Sequence, residues 1–258
     1  MKEFNYAEFI SCISIERGDT IDIVSDLLSI GIYCKRNGAK FDPNKLIDCF
    51  CDAVGPEGNV LIRTFSHDFC YKKKWSYKST RSSVGALGNV ALMRTDFMRT
   101  KHPIFSWMVY GRDREYLCEL DNQDSFPLDS VFGWEYNVGA KLITIGSPMS
   151  EGFTFVHYVE QKVGVPYRHE ELFTGEYIDK DGVSEIKTYS MYTRNREEYE
   201  IGKIDFGKIF PLLRLLEIQS YSSYHGIELK KTNITEAADF LEDSIVNNGE
   251  LMPVYKAK

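Results

Sequence analysis

The chain has 258 residues, 43% apolar and 27% charged, with 19 glycines and 8 prolines, which is the composition of a folded body with a sizeable core and excludes disordered and collagen-like chains. Lys and Arg number 31 against 38 Asp and Glu, for a net charge of −7, and apart from Lys72-Lys73-Lys74 the basic residues are scattered, which argues against a nucleic-acid partner. No apolar run approaches the ~20 residues of a membrane span, and the N-terminal MKEFNYAEFISC lacks the layout of a secretory signal, so a cytoplasmic protein without membrane contact is expected.

In chain order, Thr20-Ile21-Asp22-Ile23-Val24 reads as a strand. Asp42-Pro43 is an N-cap followed by a proline suited to the first helical position. The helix after it places Leu46, Ile47, Phe50, Cys51 and Val54 on one face and stops at Gly55-Pro56. Asn59 to Thr64, Ser106 to Tyr110 and Lys141 to Ile145 read as short strands rich in β-branched and aromatic residues, with helical stretches between them. From Glu171 to Arg194 two alternating stretches flank Asp179-Lys180-Asp181-Gly182, a hairpin signal that suits an acceptor lid or a homodimer contact. A last helix starts at the Asn233-Ile234-Thr235-Glu236 cap and runs to Asn247-Asn248-Gly249.

This alternation predicts an α/β protein. The expected architecture is a three-layer α/β/α body with a mixed central sheet and a C-terminal hairpin and helix region. No repeat, low-complexity tract or Pro/Ser-rich linker interrupts it, so residues 1–258 are read as one domain.

Six cysteines (Cys12, Cys34, Cys49, Cys51, Cys70, Cys118) contain no C-x-x-C pair, which indicates neither a zinc ribbon nor a dithiol redox site. They are expected to be reduced and mostly buried. Cys70, three residues after His67, is a weak candidate nucleophile.

The most informative stretch runs from Gly146 to Gln161. A buried strand ends, a Gly/Ser/Pro loop (Gly146-Ser147-Pro148-Met149-Ser150-Glu151-Gly152) follows, and a short helix begins. Thr154, His157 and Glu160 fall at successive i, i+3 steps beside the carboxyl end of a strand, where open α/β sheets bind ligands. The set suits acyl transfer to an amine: His157 removes the ammonium proton, Glu160 fixes its tautomer, and the Thr154 hydroxyl donates to the developing oxyanion. The same spacing also suits a surface pair worth a few tenths of a kcal/mol. H-x-x-E supplies only two ligands, so no metal site is expected. His102, before Pro103, lies in extended backbone where it could line a site or bond the local backbone.

Several collinear segments resemble the aminoglycoside 3-N-acetyltransferase family. Its T-x-L-H-x-x-E pattern is matched by Thr154 to Glu160, R-S-x-H-P-x-x-S by Arg99 to Ser106, G-T-L-V-x-P-T-F-T by Gly58 to Ser66, and G-A-L by Gly85-Ala86-Leu87. A further run resembles Ser130 through Ala140 to Gly146, and the agreement extends from about residue 15 to 170.

The resemblance implies transfer of an acyl group from acetyl-coenzyme A or another acyl-coenzyme A to an amine, with His157 as general base, Glu160 as its partner and Thr154 near the thioester carbonyl. It implies coenzyme contacts at Ser25, Thr64, Phe65, Ser66, Arg99 and Ser106. Three departures qualify it. The family's V-H-x-S-L is Ile23-Val24-Ser25-Asp26-Leu27, its P-T-F-T proline is Arg63, and the acidic residue after G-A-L is Asn89. Asp26 would repel a coenzyme phosphate at that spot. The loss of an acidic residue weakens the case for a polycationic acceptor, and Arg63, with His102, becomes a substrate-side candidate suited to an anionic group on an activated amino sugar.

The leading expectation is therefore an acyl-coenzyme A dependent N-acyltransferase acting on the amine of an amino sugar, nucleotide-linked or not, or of an aminoglycoside. The alternatives are a non-catalytic sensor or scaffold that binds coenzyme A or a nucleotide, and a hydrolase that uses the same His and Glu to activate water.

Overall fold

The computed structural model describes residues 2–146, 152–202, 204, 206–248 and 255–258. The strands are β1 (Lys2–Glu3), β2 (Thr20–Ser25), β3 (Ala39–Lys40), β4 (Asn59–Arg63), β5 (Lys74–Ser76), β6 (Met98–Arg99), β7 (Trp107–Gly111), β8 (Lys141–Ile145), β9 (Arg168–Ile178), β10 (Ser184–Arg194), β11 (Tyr199–Ile201), β12 (Gln219–Tyr224), β13 (Ile227–Asn233) and β14 (Tyr255–Ala257). Seven of them form the central sheet in the order β12-β13-β8-β2-β4-β7-β6. Its centre, β8-β2-β4, is parallel. The flanks are antiparallel, β13 against β8 and β7 against β4, which makes the sheet mixed as expected.

The period of two along each strand sends alternate side chains to opposite faces. Val60 and Ile62 of β4, Ile143 and Ile145 of β8 and Met108 of β7 join one core. Leu61, Leu142, Trp107 and Val109 join the other. The first face is covered by the helices Leu28–Asn37, Pro43–Val54 and Ala86–Ala91. The second is covered by Val131–Asn137, Val156–Val163, Phe206–Leu215 and Ile234–Asp243. The result is three layers.

Local chemistry accounts for the elements that were legible in the sequence. The Asp42 side chain accepts from the Asn44 amide and Pro43 occupies the first turn, so the helix Pro43–Val54 starts where its orphan amides are satisfied. Its Leu46, Ile47, Phe50 and Val54 are fully buried, each worth roughly 1.5–3 kcal/mol of burial. It ends at Gly55, whose φ of 68° lies in the left-handed region that glycine adopts without strain. Asn233 likewise caps the helix Ile234–Asp243 by accepting from Thr235 and Glu236. That helix passes into a π-turn, Ser244–Asn248, and the expected stop at Gly249 lies outside the described residues.

The expected hairpin is present over longer strands. β9 and β10 pair in antiparallel register from Arg168↔Arg194 to Ile178↔Ser184, and β5 joins β9 in parallel to form a second, three-stranded sheet. Tyr177 and Tyr189 on one side of the hairpin, and Tyr192 on the other, pack into the core that also holds Trp75 and Phe69. Strands β12 and β13 were not anticipated. β12 is an edge strand, mostly Ser and Tyr, so it carries little of the β-branched signal. Its turn places His225 and Gly226 both at positive φ, the backbone of a two-residue hairpin turn.

Candidate active site

The carboxyl ends of β2, β4 and β8 lie side by side in the parallel centre of the sheet. Ser25 ends β2 and Arg63 ends β4. The chain after β8 returns to this edge at Gly152, makes a tight turn through Phe153 to Phe155, and enters the helix Val156–Val163. The turn is fixed by the His157 amide, which donates to the Thr154 carbonyl at 2.9 Å. Phe153, Phe155, Val156 and Val159 anchor the segment in the core, which leaves Thr154 and His157 half-buried at the sheet edge. The expected loop residues Ser147, Pro148, Met149, Ser150 and Glu151 lie outside the described residues.

Glu160, one turn into the helix, is fully buried. A buried carboxylate needs partners for its charge and its lone pairs, and Glu160 has three. Its Oε2 lies 2.7 Å from His157 Nδ1 and 2.6 Å from Arg168 Nε. Its Oε1 accepts from the Tyr167 hydroxyl at 3.0 Å. Arg168 is tied down in turn by a bond from its guanidinium to the Tyr192 carbonyl at 2.9 Å. Burial is the largest influence on the imidazole of His157 and pushes its pKa below the ordinary value. The bond to Glu160 raises it in part, and the charges of Arg168 and Arg194 lower it further. At neutral pH the ring is therefore uncharged. With Nδ1 engaged by Glu160, Nε2 presents a lone pair to the cleft.

The cleft in front of His157 has a volume of about 580 Å³. One wall is Phe65, His67, Tyr71 and Phe105, and the other is the base of the β9–β10 hairpin, from Arg168 and Phe173 to Tyr192 and Arg194. The base of the hairpin therefore walls the cleft. Its turn lies elsewhere, where Asp179 and Lys180 border a second cavity beside Tyr77 and Lys101. A narrow cavity of about 30 Å³ at the ends of β2 and β4 is bordered by Ser25, Gly85 and Gly152, and it shares Phe65, Val84 and Thr154 with the large cleft. The backbone is closely approached there: a Cβ on Gly85, which has φ +135°, would lie 3.2 Å from the Ser25 carbonyl oxygen.

Of the six residues expected to contact the coenzyme, Ser25 and Phe65 border this narrow cavity. The other four do not border it. Thr64, Ser66, Arg99 and Ser106 are buried and bonded to one another or to backbone. The Thr64 hydroxyl meets the Ser106 hydroxyl at 2.9 Å, and Ser66 accepts from the Asp68 amide. Arg99 donates to Ser106 Oγ and to the carbonyls of Tyr77, Thr80 and Thr64, and it stacks over Trp75 at 4.6 Å. Its pKa falls to about 10 through burial. These side chains lock the loops after β4 and before β7, and their polar atoms are already engaged.

The two substrate-side candidates are likewise held by protein partners, although Arg63 borders the narrow cavity and His102 a small cavity beside Phe105 and Trp107. Arg63, only 4% exposed, points inward. Its Nε and Nη2 both meet Asp22 Oδ2, at 2.8 and 2.5 Å, and its Nη1 bonds the Gly152 carbonyl and reaches Thr154 Oγ1 at 3.5 Å. His102 is half-buried, and its Nδ1 accepts from the amides of Ile104 and Phe105. Burial drives its pKa down to about 3, so the ring is neutral.

Sequence reasoning missed Tyr167 and Arg168, which share Glu160 with His157. Their signal is slight: both follow the helix-ending Gly164, with φ 74°, close in sequence to Glu160. It also missed the buried cluster beneath Thr154. Asp22 accepts from Arg63 and from Trp107 Nε1 at 3.3 Å. Glu135 is fully buried with neither carboxyl oxygen hydrogen-bonded. Burial and the Asp22 charge push Glu135 well above the usual carboxylate range, so it is held as the neutral acid. Among the described residues no group of three or more His, Cys, Asp or Glu side chains is placed to hold a metal ion, and no helix is long and apolar enough to cross a membrane.

Comparison with known proteins identifies the family and the fold. The family profile described as aminoglycoside 3-N-acetyltransferase matches residues 23–245. The aminoglycoside acetyltransferase AAC(3)-Xa superimposes with a TM-score of 0.76 at 16% identity, covering 92% of this chain and 91% of that one. The YokD protein from Bacillus subtilis gives a TM-score of 0.75 at 17% identity over 94% and 98% of the two chains. The AAC-IIIb structure solved as a binary complex with CoASH gives 0.77 at 14% over 93% and 94%. No curated protein matches the chain. With this fold and with the profile spanning most of its length, the chain belongs to the aminoglycoside 3-N-acetyltransferase family.

Proposed function

We propose that the protein transfers a short acyl group from an acyl-coenzyme A to the amine of a small acceptor such as an amino sugar. The observation that carries this reading is the His157 ring at the cleft wall, uncharged, with Nδ1 fixed 2.7 Å from a fully buried Glu160. A surface His–Glu pair would not have its carboxylate enclosed by an arginine and a tyrosine.

His157 Nε2 takes a proton from the acceptor nitrogen as the new C–N bond forms. Glu160 stabilises the resulting imidazolium, as the carboxylate of a catalytic triad does. The Thr154 hydroxyl, which accepts from Arg63 at the limit of hydrogen-bonding distance, keeps its own proton for the carbonyl oxygen that gathers negative charge. As the C–S bond breaks, the imidazolium returns the proton to the departing sulfur and the cycle closes.

The donor supplies an acyl group activated as a thioester. The narrow cavity lined by Ser25, Phe65, Gly85 and Gly152 fits the thin acyl end, because it opens at Thr154. It does not supply the helix amides that a phosphate would use. Asp26 Oδ1 already accepts from the Leu28 amide at 2.9 Å, so a carboxylate occupies the start of the helix Leu28–Asn37. The donor phosphates are therefore held outside that helix terminus. The same carboxylate favours the second reading, a relative that binds a coenzyme or nucleotide without turnover.

The test begins with a thermal shift. Acetyl-coenzyme A at a hundred times its Kd stabilises the protein by about 2.7 kcal/mol. Thiol release is then followed with and without a panel of amines. Acceptor-dependent release supports acyl transfer, release without any acceptor indicates a hydrolase, and binding without release indicates the sensor.

A further inference from the structure

We infer that the acceptor is an amine that also carries an anionic group, a phosphate or a carboxylate, which Arg194 and Arg196 hold beside His157. The inference rests on the proposed function for the position of the reacting amine.

The base of the hairpin places charges in a specific order. Arg168 and Arg194 are directly opposed in the β9–β10 register. Like charges directly across an antiparallel pair repel, so each needs an anion. Arg168 has one, because Glu160 lies 2.6 Å from its Nε. That carboxylate is spent: it also holds His157 and Tyr167. Arg194, half-buried on the cleft wall, forms no ion pair among the described residues, and neither does the exposed Arg196 two residues on. The field of Arg194 reaches both His157 and Arg168, depressing the pKa of each. An anion seated at Arg194 would relieve this repulsion and lie next to the base that deprotonates the amine.

The rest of the lining agrees. Glu171 is the one carboxylate on the cleft wall besides Glu160, which is buried behind it, among the described residues. A cleft with two uncompensated guanidiniums and one acidic side chain repels a polycation and attracts an anion. Guanidinium groups pair with phosphate or carboxylate through two parallel hydrogen bonds, which also sets orientation. The donor phosphates are the competing occupant. The donor's acyl end is assigned to the narrow cavity at Ser25 and Gly85, which borders neither arginine.

The experiment measures binding, so it does not depend on turnover. Protein saturated with coenzyme A is titrated by calorimetry with glucosamine, glucosamine 6-phosphate, a uridine-diphosphate-linked amino sugar and tobramycin. At least one anionic amine should bind ten times or more tighter than glucosamine, and tobramycin more weakly than that anionic amine. The advantage should vanish in Arg194→Met/Arg196→Met, with coenzyme A affinity unchanged within twofold. Both arginines lie on the open cleft, and circular dichroism with the melting temperature verifies that the variant folds. Should the variant misfold, a rise in the anionic amine's Kd with added salt that glucosamine does not share supports the proposal, and an equal salt response overturns it. Equal affinity for charged and neutral amines, a preference for tobramycin, or a matching loss of coenzyme A affinity in the variant also overturns it. Loss of acyl transfer to every amine would instead refute the proposed function while leaving this binding result standing.

Discussion

Replacing Glu160 by Gln separates what its carboxylate does for stability from what it does for catalysis. The group is fully buried between His157, Arg168 and Tyr167. In Glu160→Gln the guanidinium of Arg168, 5% exposed, keeps its charge and loses its counterion. Breaking one side of a buried pair costs about 3–5 kcal/mol, and at roughly 2–4 °C per kcal/mol for a chain of this size the melting temperature should fall by about 6–20 °C. His157 keeps a neutral partner in place of a charged one. Charge-assisted bonds exceed neutral ones by about 1–1.5 kcal/mol, which corresponds to roughly a five- to twelvefold loss of kcat. Glu160→Gln/Arg168→Met removes both buried charges, so stability should return to within about 1–2 kcal/mol of the parent while kcat stays low. Thermal melts and steady-state thiol release on the single and double variants read the two effects apart. If the single variant kept kcat within threefold, or if the double variant recovered it, Glu160 would be a structural ion and the role given to it in catalysis would be wrong.

Other outcomes follow from the same groups. Because burial, Arg168 and Arg194 hold the His157 pKa below 6.5, kcat/KM should rise with pH to a plateau before neutrality, and Arg168→Met should move that acid limb to higher pH; a midpoint above 6.5 in the parent would contradict the reading. Glu135 is held protonated by burial and by Asp22, so its folded-state pKa lies above the unfolded value near ~4.3 and stability is lost as pH rises through that window. Glu135→Gln should therefore melt higher than the parent at pH 8, with a gain that grows by about 1.4 kcal/mol per pH unit from about pH 4.5 until the folded-state pKa is passed, and vanishes below it. Cys70 borders the cleft, but burial pushes its thiol to about 11; Cys70→Ser should retain activity, and iodoacetamide at pH 7 should leave Cys51, Cys70 and Cys118 unmodified until the protein unfolds.

The parts of this fold that could be read from sequence are those whose signal is local. The strand Lys141–Ile145 and the helix Pro43–Val54 announce themselves through β-branched runs, an Asp-Pro cap and a Gly-Pro stop. The pairing of His157 with Glu160 is likewise local, because three residues on a helix bring side chains together wherever the helix sits. What the sequence could not show depends on burial. Arg63 reads as a substrate-side cation, yet β4 points it inward, and only the sheet register places Asp22 in the neighbouring strand to receive it. Arg99, Thr64 and Ser106 look like a polar lining until the loops fold over them and use every polar atom. Arg168 and Tyr167 reach Glu160 because the chain reverses at Gly164 and starts β9 alongside the helix, a tertiary turn without a strong motif. Strand β12 was missed because an edge strand need not be apolar.

The most direct test of the account is the replacement of His157 by Ala, assayed for acyl transfer and for coenzyme A binding on the same preparation. A general base acts on the reacting nitrogen and not on the donor, so kcat should fall by about 10²–10⁴ while the coenzyme A Kd stays within twofold. Undiminished kcat with an acceptor that the parent protein acylates would contradict it.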